Sequence, residues 1–253
     1  MSRADDPGRP RGRLVCGLQP VREAIRAHGP KVGRVLVEIA RGEASPQLEA
    51  VARFAKDRGI EVARVERAEL DQMARGVRHQ GAAAFLPELA LVPLSEVSTA
   101  TNALLVALDE VQDPQNFGAA IRSAVAMGAT AVLWPEHRSA PLTAATFRAS
   151  AGAVEHATLC QVGSLTAALE SLRERGVAVF GLDAGADTAI DRADLTGPVA
   201  LVVGAEGKGL RKTVKRVCDA LVSLPMPGPI ESLNASVAVA IALYEVVRQR
   251  GAR

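Results

Sequence analysis

The chain has 253 residues, of which 48% are hydrophobic and 23% charged, a composition that is typical of folded proteins and excludes disorder as the main state. Its 30 basic and 28 acidic residues give a net charge of +2, too small to indicate a polyanionic partner. Three separated cysteines predict neither a disulfide framework nor a zinc site, and we expect no metal. With no signal sequence and no run of about 20 apolar residues, the sequence predicts a cytoplasmic protein outside the membrane.

The N-terminal part alternates short helical and strand patterns. Residues 1–13 contain four arginines among Pro and Gly and are predicted as a flexible basic tail, which either contacts RNA or is only solvated. Residues 14–87 predict a small α/β domain with helices at 20–27, 46–58 and 70–74 and strands at 34–39, 60–65 and 81–85. Prolines and a Ser/Thr-rich stretch then indicate a linker at 88–102.

Residues 103–253 predict a second, larger α/β domain. Six apolar runs suit strands that are covered on both faces, at 103–108, 131–134, 158–162, 177–182, 199–203 and 220–224. Helical patterns separate them, and a long helix is predicted at 233–250. This alternation indicates a parallel sheet, in which ligands gather where the strands end.

Three loops that follow predicted strands carry glycines and polar residues. Residues 109–122 contain an Asp-Pro pair, residues 204–210 contain three glycines around Glu206, and residues 224–236 end in Ser232, Asn234 and Ser236. Each loop alone has an ordinary explanation, either a capped turn or a glycine-rich turn. Together, at one edge of a sheet, they would enclose an adenosine-sized cleft.

The glycine loop fits neither of the common phosphate-binding patterns. A dinucleotide fingerprint needs G-x-G-x-x-G after the first strand of the unit, and a Walker loop needs Ser or Thr directly after its lysine, where this chain has Gly209.

The three loops together resemble the three motifs of the SpoU (TrmH-type) RNA ribose 2′-O-methyltransferases of the SPOUT class. The matching positions are Asp113, Pro114, Asn116, Gly118 and Arg122 in the first motif; Gly204, Glu206, Gly207, Gly209 and Leu210 in the second; and Pro225, Met226, Gly228, Ser232, Leu233, Asn234 and Ser236 in the third.

The resemblance implies a deep trefoil knot and S-adenosylmethionine as methyl donor, held by backbone groups of Gly204, Leu224 and Leu233. It also implies a homodimer through the C-terminal domain, with the active site near the partner subunit. The residues to which it assigns the chemistry and the target nucleotide are Asn116, Arg122, Glu206, Ser232 and Asn234. Arg122 is expected to grip phosphate and stabilise the developing alkoxide, because a guanidinium stays protonated and is a poor base.

Residues 14–87 are similar to the L30e/L7Ae-like substrate-binding domain of the subgroup that methylates large-subunit (23S) ribosomal RNA. The positions that carry this similarity are Gly17, Pro20, Val21, His79, Gln80 and Gly81. His79 also has a simpler interpretation as a buried structural histidine. Four alternatives stay open: a transfer-RNA methyltransferase, an antibiotic-resistance enzyme acting on another ribosomal site, a nucleotide- or dinucleotide-binding α/β protein, and a catalytically idle RNA-binding protein.

Overall fold

The structure, a computed structural model, describes residues 12–39, 45–229 and 232–251. The chain divides into two compact units, Met1–Leu89 and Ala90–Arg253. The predicted basic tail lies outside the described residues except for its last two positions, and Arg13 already belongs to the first strand. Within the described part of the chain, no helix is long and apolar enough to cross a membrane.

The first unit is a mixed four-stranded sheet with helices on both faces. Its elements are β1 (Arg13–Cys16), α1 (Leu18–His28), β2 (Arg34–Glu38), α2 (Pro46–Lys56), β3 (Val62–Val65), α3 (Arg67–Ala74) and β4 (Ala82–Leu86). The strand order is β1-β4-β2-β3, with β2 parallel to β3 and β4 antiparallel to both of its neighbours.

Alternation along β2 explains why helices cover both faces of this sheet. Val35 and Val37 pack with α1 and α2, whereas Leu36 packs with Leu70 of α3 on the other face. The helices and the inner strands confirm the predicted α/β pattern. Strand β1 was not predicted, because four residues at a sheet edge give too short a pattern and its partner β4 lies about 70 residues away in sequence.

The second unit is built on a six-stranded sheet in which all pairs are parallel. Its elements are β5 (Leu104–Asp109), α4 (Pro114–Ala126), β6 (Ala131–Pro135), α5 (Ala144–Ala149), β7 (Leu159–Val162), α6 (Leu165–Glu174), β8 (Ala178–Leu182), β9 (Val199–Gly204), α7 (Lys212–Val217), β10 (Ala220–Val222) and α8 (Ala235–Gly251). The last predicted strand ends two residues early, and the last helix begins at Ala235 rather than at 233.

The strand order β10-β8-β9-β5-β6-β7 creates a switch point in the middle of the sheet. The chain runs outward from β5 through β6 and β7, then returns to β8 and places β9 beside β5. The loops that follow β5 and β9 therefore leave the same part of the sheet edge, which is where open α/β sheets bind ligands.

Most of the predicted linker at 88–102 is instead folded onto the second unit. Leu91 forms a β-bridge with Leu159, Val97 is buried in the core, and Arg175 donates hydrogen bonds to the carbonyls of Leu94 and Val97. Prolines and small polar residues suggested a free segment, but alternate apolar side chains anchor it. The unit boundary falls between Leu89 and Ala90.

Candidate active site

The loops that follow β5 and β9 are tied together at their base by a buried ion pair. Asp109 pairs with Gly204 across the parallel ladder, and its carboxylate is 0% exposed. Arg211 donates to it twice, from Nε to Oδ1 at 2.6 Å and from the backbone N–H to Oδ2 at 2.9 Å. Because a buried carboxylate needs such partners, this contact fixes the register of the two loops.

The loop at 204–210 turns back on itself more tightly than a side chain at Gly204 would allow. A Cβ atom there would lie 2.2 Å from the carbonyl carbon of Gly209. The N–H of Gly209 donates to the carbonyl of Ala205 at 2.8 Å, and Gly207 and Gly209 have φ angles of 72° and 64°. Glycines are thus needed here for backbone geometry. Glu206 and Lys208 remain exposed at the rim.

A cleft of about 390 Å³, which we call the glycine-loop cleft, opens beside this turn. It is enclosed by the carboxyl ends of β8 and β9, the glycine loop, the segment after β10 and the start of α8. Its lining includes five residues to which the resemblance assigned a role, Gly204, Glu206, Leu224, Ser232 and Leu233. Three further motif positions, Gly207, Gly209 and Met226, line it as well. The structure therefore brings the second and third motifs to one cleft.

Two further residues of this cleft were not predicted. Asp183, directly after β8, forms an ion pair with Lys215, and its Oδ1 accepts the N–H of Gly185 at 3.0 Å. The Lys215 ammonium, followed by this N–H, lowers the pKa of Asp183 below its ordinary value. The available signal was position, since Asp183 directly follows a predicted strand at the ligand-binding edge.

A second, polar cleft of about 170 Å³ adjoins the first, and we call it the Asn116 cleft. Asn116 is 7% exposed and lines it together with Glu110 and Asp113. Glu206 and Lys208 line both clefts. An adenosine-sized space and a polar space thus meet at the glycine loop.

The first motif begins with a helix cap that orients Asn116. Asp113 accepts the backbone N–H groups of Gln115 at 3.3 Å and Asn116 at 3.1 Å, and Pro114 occupies the first turn of α4. Gly118 lies where α5 packs closest, since a Cβ would be 2.6 Å from the carbonyl oxygen of Thr146. The capped-turn interpretation is therefore right, and the cap places Asn116 in the cleft.

Arg122 and Asn234 are not gathered into these clefts. Arg122 follows Asn116 by six residues, about 9 Å along α4 and about 240° around it, and its side chain is exposed. It makes no hydrogen bond or ion pair with the described residues. Asn234 caps α8, with Oδ1 accepting the N–H of Ser236 at 2.9 Å and its hydroxyl at 2.6 Å.

No three His, Cys, Asp or Glu side chains in the described ranges are close enough to hold a metal ion. The three cysteines are free thiols. Burial raises the pKa of Cys16 and Cys218 to about 11 and also raises that of Cys160. None of the three lines either cleft.

Comparison with known proteins gives the same division of the chain. Residues 103–244 match the SpoU rRNA Methylase family, and residues 14–91 match the domain described as RNA 2′-O ribose methyltransferase substrate binding. The chain is 42% identical over 243 residues to an uncharacterized tRNA/rRNA methyltransferase of Mycolicibacterium smegmatis, covering 94% of this chain and 76% of that relative.

Two of three solved structures that resemble the chain align over nearly all of it. The SpoU methyltransferase AviRb of Streptomyces viridochromogenes, crystallised with AdoMet, aligns with a TM-score of 0.77 and 27% identity over 95% of this chain and 91% of its own. An AdoMet-bound rRNA methyltransferase of Sinorhizobium meliloti aligns with a TM-score of 0.74 and 27% identity over 93% and 86%. A structure concerning 2-OH methylation of C/U34 on tRNA aligns over 60% of this chain but 99% of its own, with a TM-score of 0.55 and 32% identity.

The chain belongs to the SpoU family of RNA methyltransferases. It is thus an enzyme of the class that transfers a methyl group from S-adenosylmethionine to a ribose 2′-oxygen of RNA. The sequence-based assignment of family, fold class and cofactor is confirmed.

Proposed function

We propose that this enzyme methylates a ribose 2′-hydroxyl of large-subunit (23S) ribosomal RNA, with residues 14–87 selecting the RNA and residues 103–253 carrying the chemistry. The observation that carries the proposal is the meeting of the glycine-loop cleft and the Asn116 cleft at Glu206 and Lys208. Methyl transfer needs a cofactor space and a substrate space that share one wall, because the two reacting atoms must come into line.

The glycine-loop cleft fits the methyl donor. Its volume of about 390 Å³ suits a nucleoside-sized ligand, and Leu224, Met226 and Leu233 offer apolar contact to a flat base. The missing Cβ at Gly204 lets the glycine loop close tightly beside the cleft. We assign the binding of S-adenosylmethionine to backbone groups of Gly204, Leu224 and Leu233. When bound, the cofactor supplies a methyl group on a sulfonium, which is already an activated leaving group.

The Asn116 cleft is assigned to the target nucleotide. Asn116 carries amide donor and acceptor groups and sits on a helix whose cap fixes its orientation, so it can position a ribose hydroxyl. Glu206 lines both clefts and Ser232 lines the glycine-loop cleft, and we assign to them the holding of the target nucleotide. Asn234 acts by shaping the start of α8.

Arg122 is assigned to a site completed by a second copy of the chain. Its side chain is exposed and lines neither cleft of its own subunit, yet its phosphate-binding chemistry belongs beside the substrate. A homodimer through the C-terminal unit would place it near the partner's Asn116 cleft. We propose that Arg122 grips a substrate phosphate there and stabilises the developing alkoxide, and that phosphate or water accepts the proton.

An apolar stripe on α8 supports this dimer. Val237, Ile241, Tyr244 and Val247 recur at helical spacing and are exposed, Tyr244 by 59%. Helix α8 packs against α4, which carries Arg122, so a partner covering the stripe would also lie near Arg122. Because C2 dimers are the commonest oligomers, a second copy is the simplest cover. Sedimentation should give a dimer of 26.4 kDa subunits, and an active, stable monomer would exclude this part of the proposal.

The first unit favours ribosomal over transfer RNA. The alignment with the tRNA-related structure covers 99% of that structure but only 60% of this chain. The alignment with the Sinorhizobium rRNA methyltransferase covers 93% of this chain. The description of the matched family, SpoU rRNA Methylase, points the same way. Tritiated S-adenosylmethionine, incubated with the enzyme and with purified ribosomal RNA or transfer RNA, tests the choice. Transfer only to tRNA would overturn the ribosomal assignment.

The trefoil knot and the cytoplasmic location belong to the same proposal. Support for the knot comes from the segment after the edge strand β10, whose Leu224 and Met226 reach the cleft at β8 and β9. Support for the location comes from the free thiols, which suit a reducing compartment.

A further inference from the structure

A strained turn in the first unit, residues 75–81 between α3 and β4, is held in an uncommon backbone conformation. Gln80 has a φ angle of 52°, a region that side chains other than glycine rarely adopt, and Arg75, the left-handed C-cap of α3, has a φ angle of 48°. Gly76 and Gly81 on the same turn also have positive φ angles. Such strain persists only where surrounding contacts impose it, and it concentrates at binding sites.

His79 lies inside the turn and links its last residue to α3. Its ring is 4% exposed, and Nδ1 accepts the N–H of Gly81 at 3.0 Å. The ring proton therefore lies on Nε2, which donates to Asp71 Oδ1 at 2.9 Å. The side-chain oxygen of Gln80 accepts the N–H of Leu18 at 3.3 Å, which ties the turn to the start of α1.

The turn forms one wall of a cavity of about 470 Å³, which we call the His79 pocket. Its lining includes Leu18, Val77 and Gln80 together with the arginines Arg67 and Arg78. Among the described residues, the Gln80 side chain forms a hydrogen bond only through its oxygen. Its NH₂ group is therefore available to a ligand.

The two arginines leave most of their donor capacity for a ligand. The Arg67 side chain is 69% exposed, and its ion-pair distances to Glu38 and Asp71 are long, at 3.7 Å and 3.9 Å. Asp71 is already engaged by His79. Arg78 is exposed and has no ion pair or hydrogen bond with the described residues.

The geometry points to a nucleotide-binding subsite: the His79 pocket takes one unpaired nucleotide of the RNA substrate. Arg67 and Arg78 bind its phosphate, Leu18 and Val77 contact the base, and Gln80 donates to a base edge. A guanidinium matches the geometry of phosphate oxygens, and proteins read single-stranded RNA by accommodating splayed-out bases in such pockets. This inference rests on the proposed function, since it requires an RNA substrate, and it deepens that function by naming where the first unit holds RNA.

The test measures RNA binding by the full chain without cofactor, so that it does not depend on catalysis. A radiolabelled transcript of large-subunit ribosomal RNA is bound to wild type and to Arg67→Ala/Arg78→Ala over a series of KCl concentrations. The double variant should bind about tenfold more weakly, and the slope of log affinity against log salt should fall by about 0.7 for each lost phosphate contact. Both side chains are exposed, so the melting temperature should stay unchanged.

A matched control removes the same charge elsewhere on the first unit. Arg53 and Lys56 are exposed on α2 and do not line the pocket, and Arg53→Ala/Lys56→Ala should change affinity by no more than about twofold. A third variant, His79→Ala, keeps every arginine and lysine but removes the side chain that links the turn to α3. Its affinity should fall while its salt slope stays near that of wild type.

The outcomes separate this inference from the proposed function. If wild type binds the RNA and the pocket variant matches the Arg53/Lys56 control, the His79 pocket is not an RNA site, whatever the enzyme methylates. If the pocket variant is weakened but wild type methylates no ribose in this RNA, the proposed function fails and the subsite stands. If wild type binds no RNA, both are wrong.

Discussion

At the scale of single residues, Arg122 gives the sharpest prediction. We expect Arg122→Ala to lower turnover by about 100-fold or more, since removing one donor that stabilises transition-state charge typically has this effect. Cofactor affinity and thermal stability should hardly change, because Arg122 is exposed and lines neither cleft. Methyl-transfer kinetics together with calorimetric titration of S-adenosylmethionine would measure this.

Mixing two inactive variants distinguishes a role across the proposed dimer from a role within one subunit. Asn116→Ala and Arg122→Ala chains, exchanged into mixed dimers, should recover about one quarter of wild-type activity, because about half the dimers are mixed and each has one intact site. No recovery would place both residues in the site of one subunit. Wild-type turnover by Arg122→Ala alone would make it an ordinary surface arginine.

The three thiols should be slow to alkylate in the folded protein. Burial raises the pKa of Cys16 and Cys218 to about 11 from 9.0, so at pH 8 their thiolate fraction is roughly 100-fold below that of an ordinary thiol. We expect iodoacetamide to modify all three rapidly in urea but only slowly in buffer, as mass spectrometry would measure. A thiol that reacts equally fast in both would contradict the burial.

Site residues could be predicted from the sequence where the spacing of a motif showed which loop they lie in. Gly204, Glu206 and Leu233 were assigned from the motif resemblance, and they do meet at one cleft. Asp109 was not singled out, because its partner Arg211 lies 102 residues away and an isolated strand-end aspartate has no local signal. Arg122 matched its motif, but the motif did not show that its side chain would lie outside both clefts.

At the scale of elements, the glycine loop after β9 is predicted to be intolerant of a single methyl group. In Gly204→Ala the new Cβ would overlap the Gly209 backbone, so the loop must move away from the cleft. We expect cofactor affinity to fall about tenfold or more, with a free energy of unfolding lowered by about 1–3 kcal/mol.

Gly163→Ala is the matched control. Gly163 also sits in a loop after a strand, with open space around its Cβ position and an ordinary φ angle. This variant should keep wild-type cofactor affinity, as titration calorimetry would show. Equal affinities for Gly204→Ala and the control would contradict the requirement for close approach at this loop.

Element boundaries were less predictable than element types. Every strand of the second sheet was expected from its apolar run, because strands covered on both faces are continuously hydrophobic. The segment at 88–102 was interpreted as a linker from its composition. In the structure it is held by single side chains such as Val97 and by backbone carbonyls that accept hydrogen bonds from Arg175. Such anchors depend on distant partners, so local composition misses them.

At the scale of the whole molecule, the two units should separate in function. A protein beginning at Ala90 retains the residues that anchor the segment 90–102 and the complete second core, so we expect it to fold and to bind S-adenosylmethionine like the full chain. Its affinity for ribosomal RNA should fall about tenfold or more, with a flatter salt dependence, because the basic residues of the first unit are gone. Filter binding and calorimetry measure the two properties.

The contrary outcome of that truncation is equally clear. If the shortened protein methylated the same nucleotide with the efficiency of the full chain, the first unit would have no part in substrate selection.

The order of the strands in the second sheet could not be predicted from the sequence. Periodicity alone predicts an ordinary doubly wound sheet rather than the observed β10-β8-β9-β5-β6-β7 arrangement.

The enzyme is proposed to transfer a methyl group to a ribose 2′-oxygen of large-subunit ribosomal RNA, and this can be checked by mapping the atom that carries the new methyl group. RNA treated with the enzyme and S-adenosylmethionine is digested and analysed by mass spectrometry and by resistance to alkaline cleavage, which requires a free 2′-hydroxyl. We predict one alkali-resistant linkage carrying one added methyl on the ribose, absent when the target nucleotide is replaced by its 2′-deoxy form. A methyl group found on a base, or persisting on the deoxy substrate, would contradict the account.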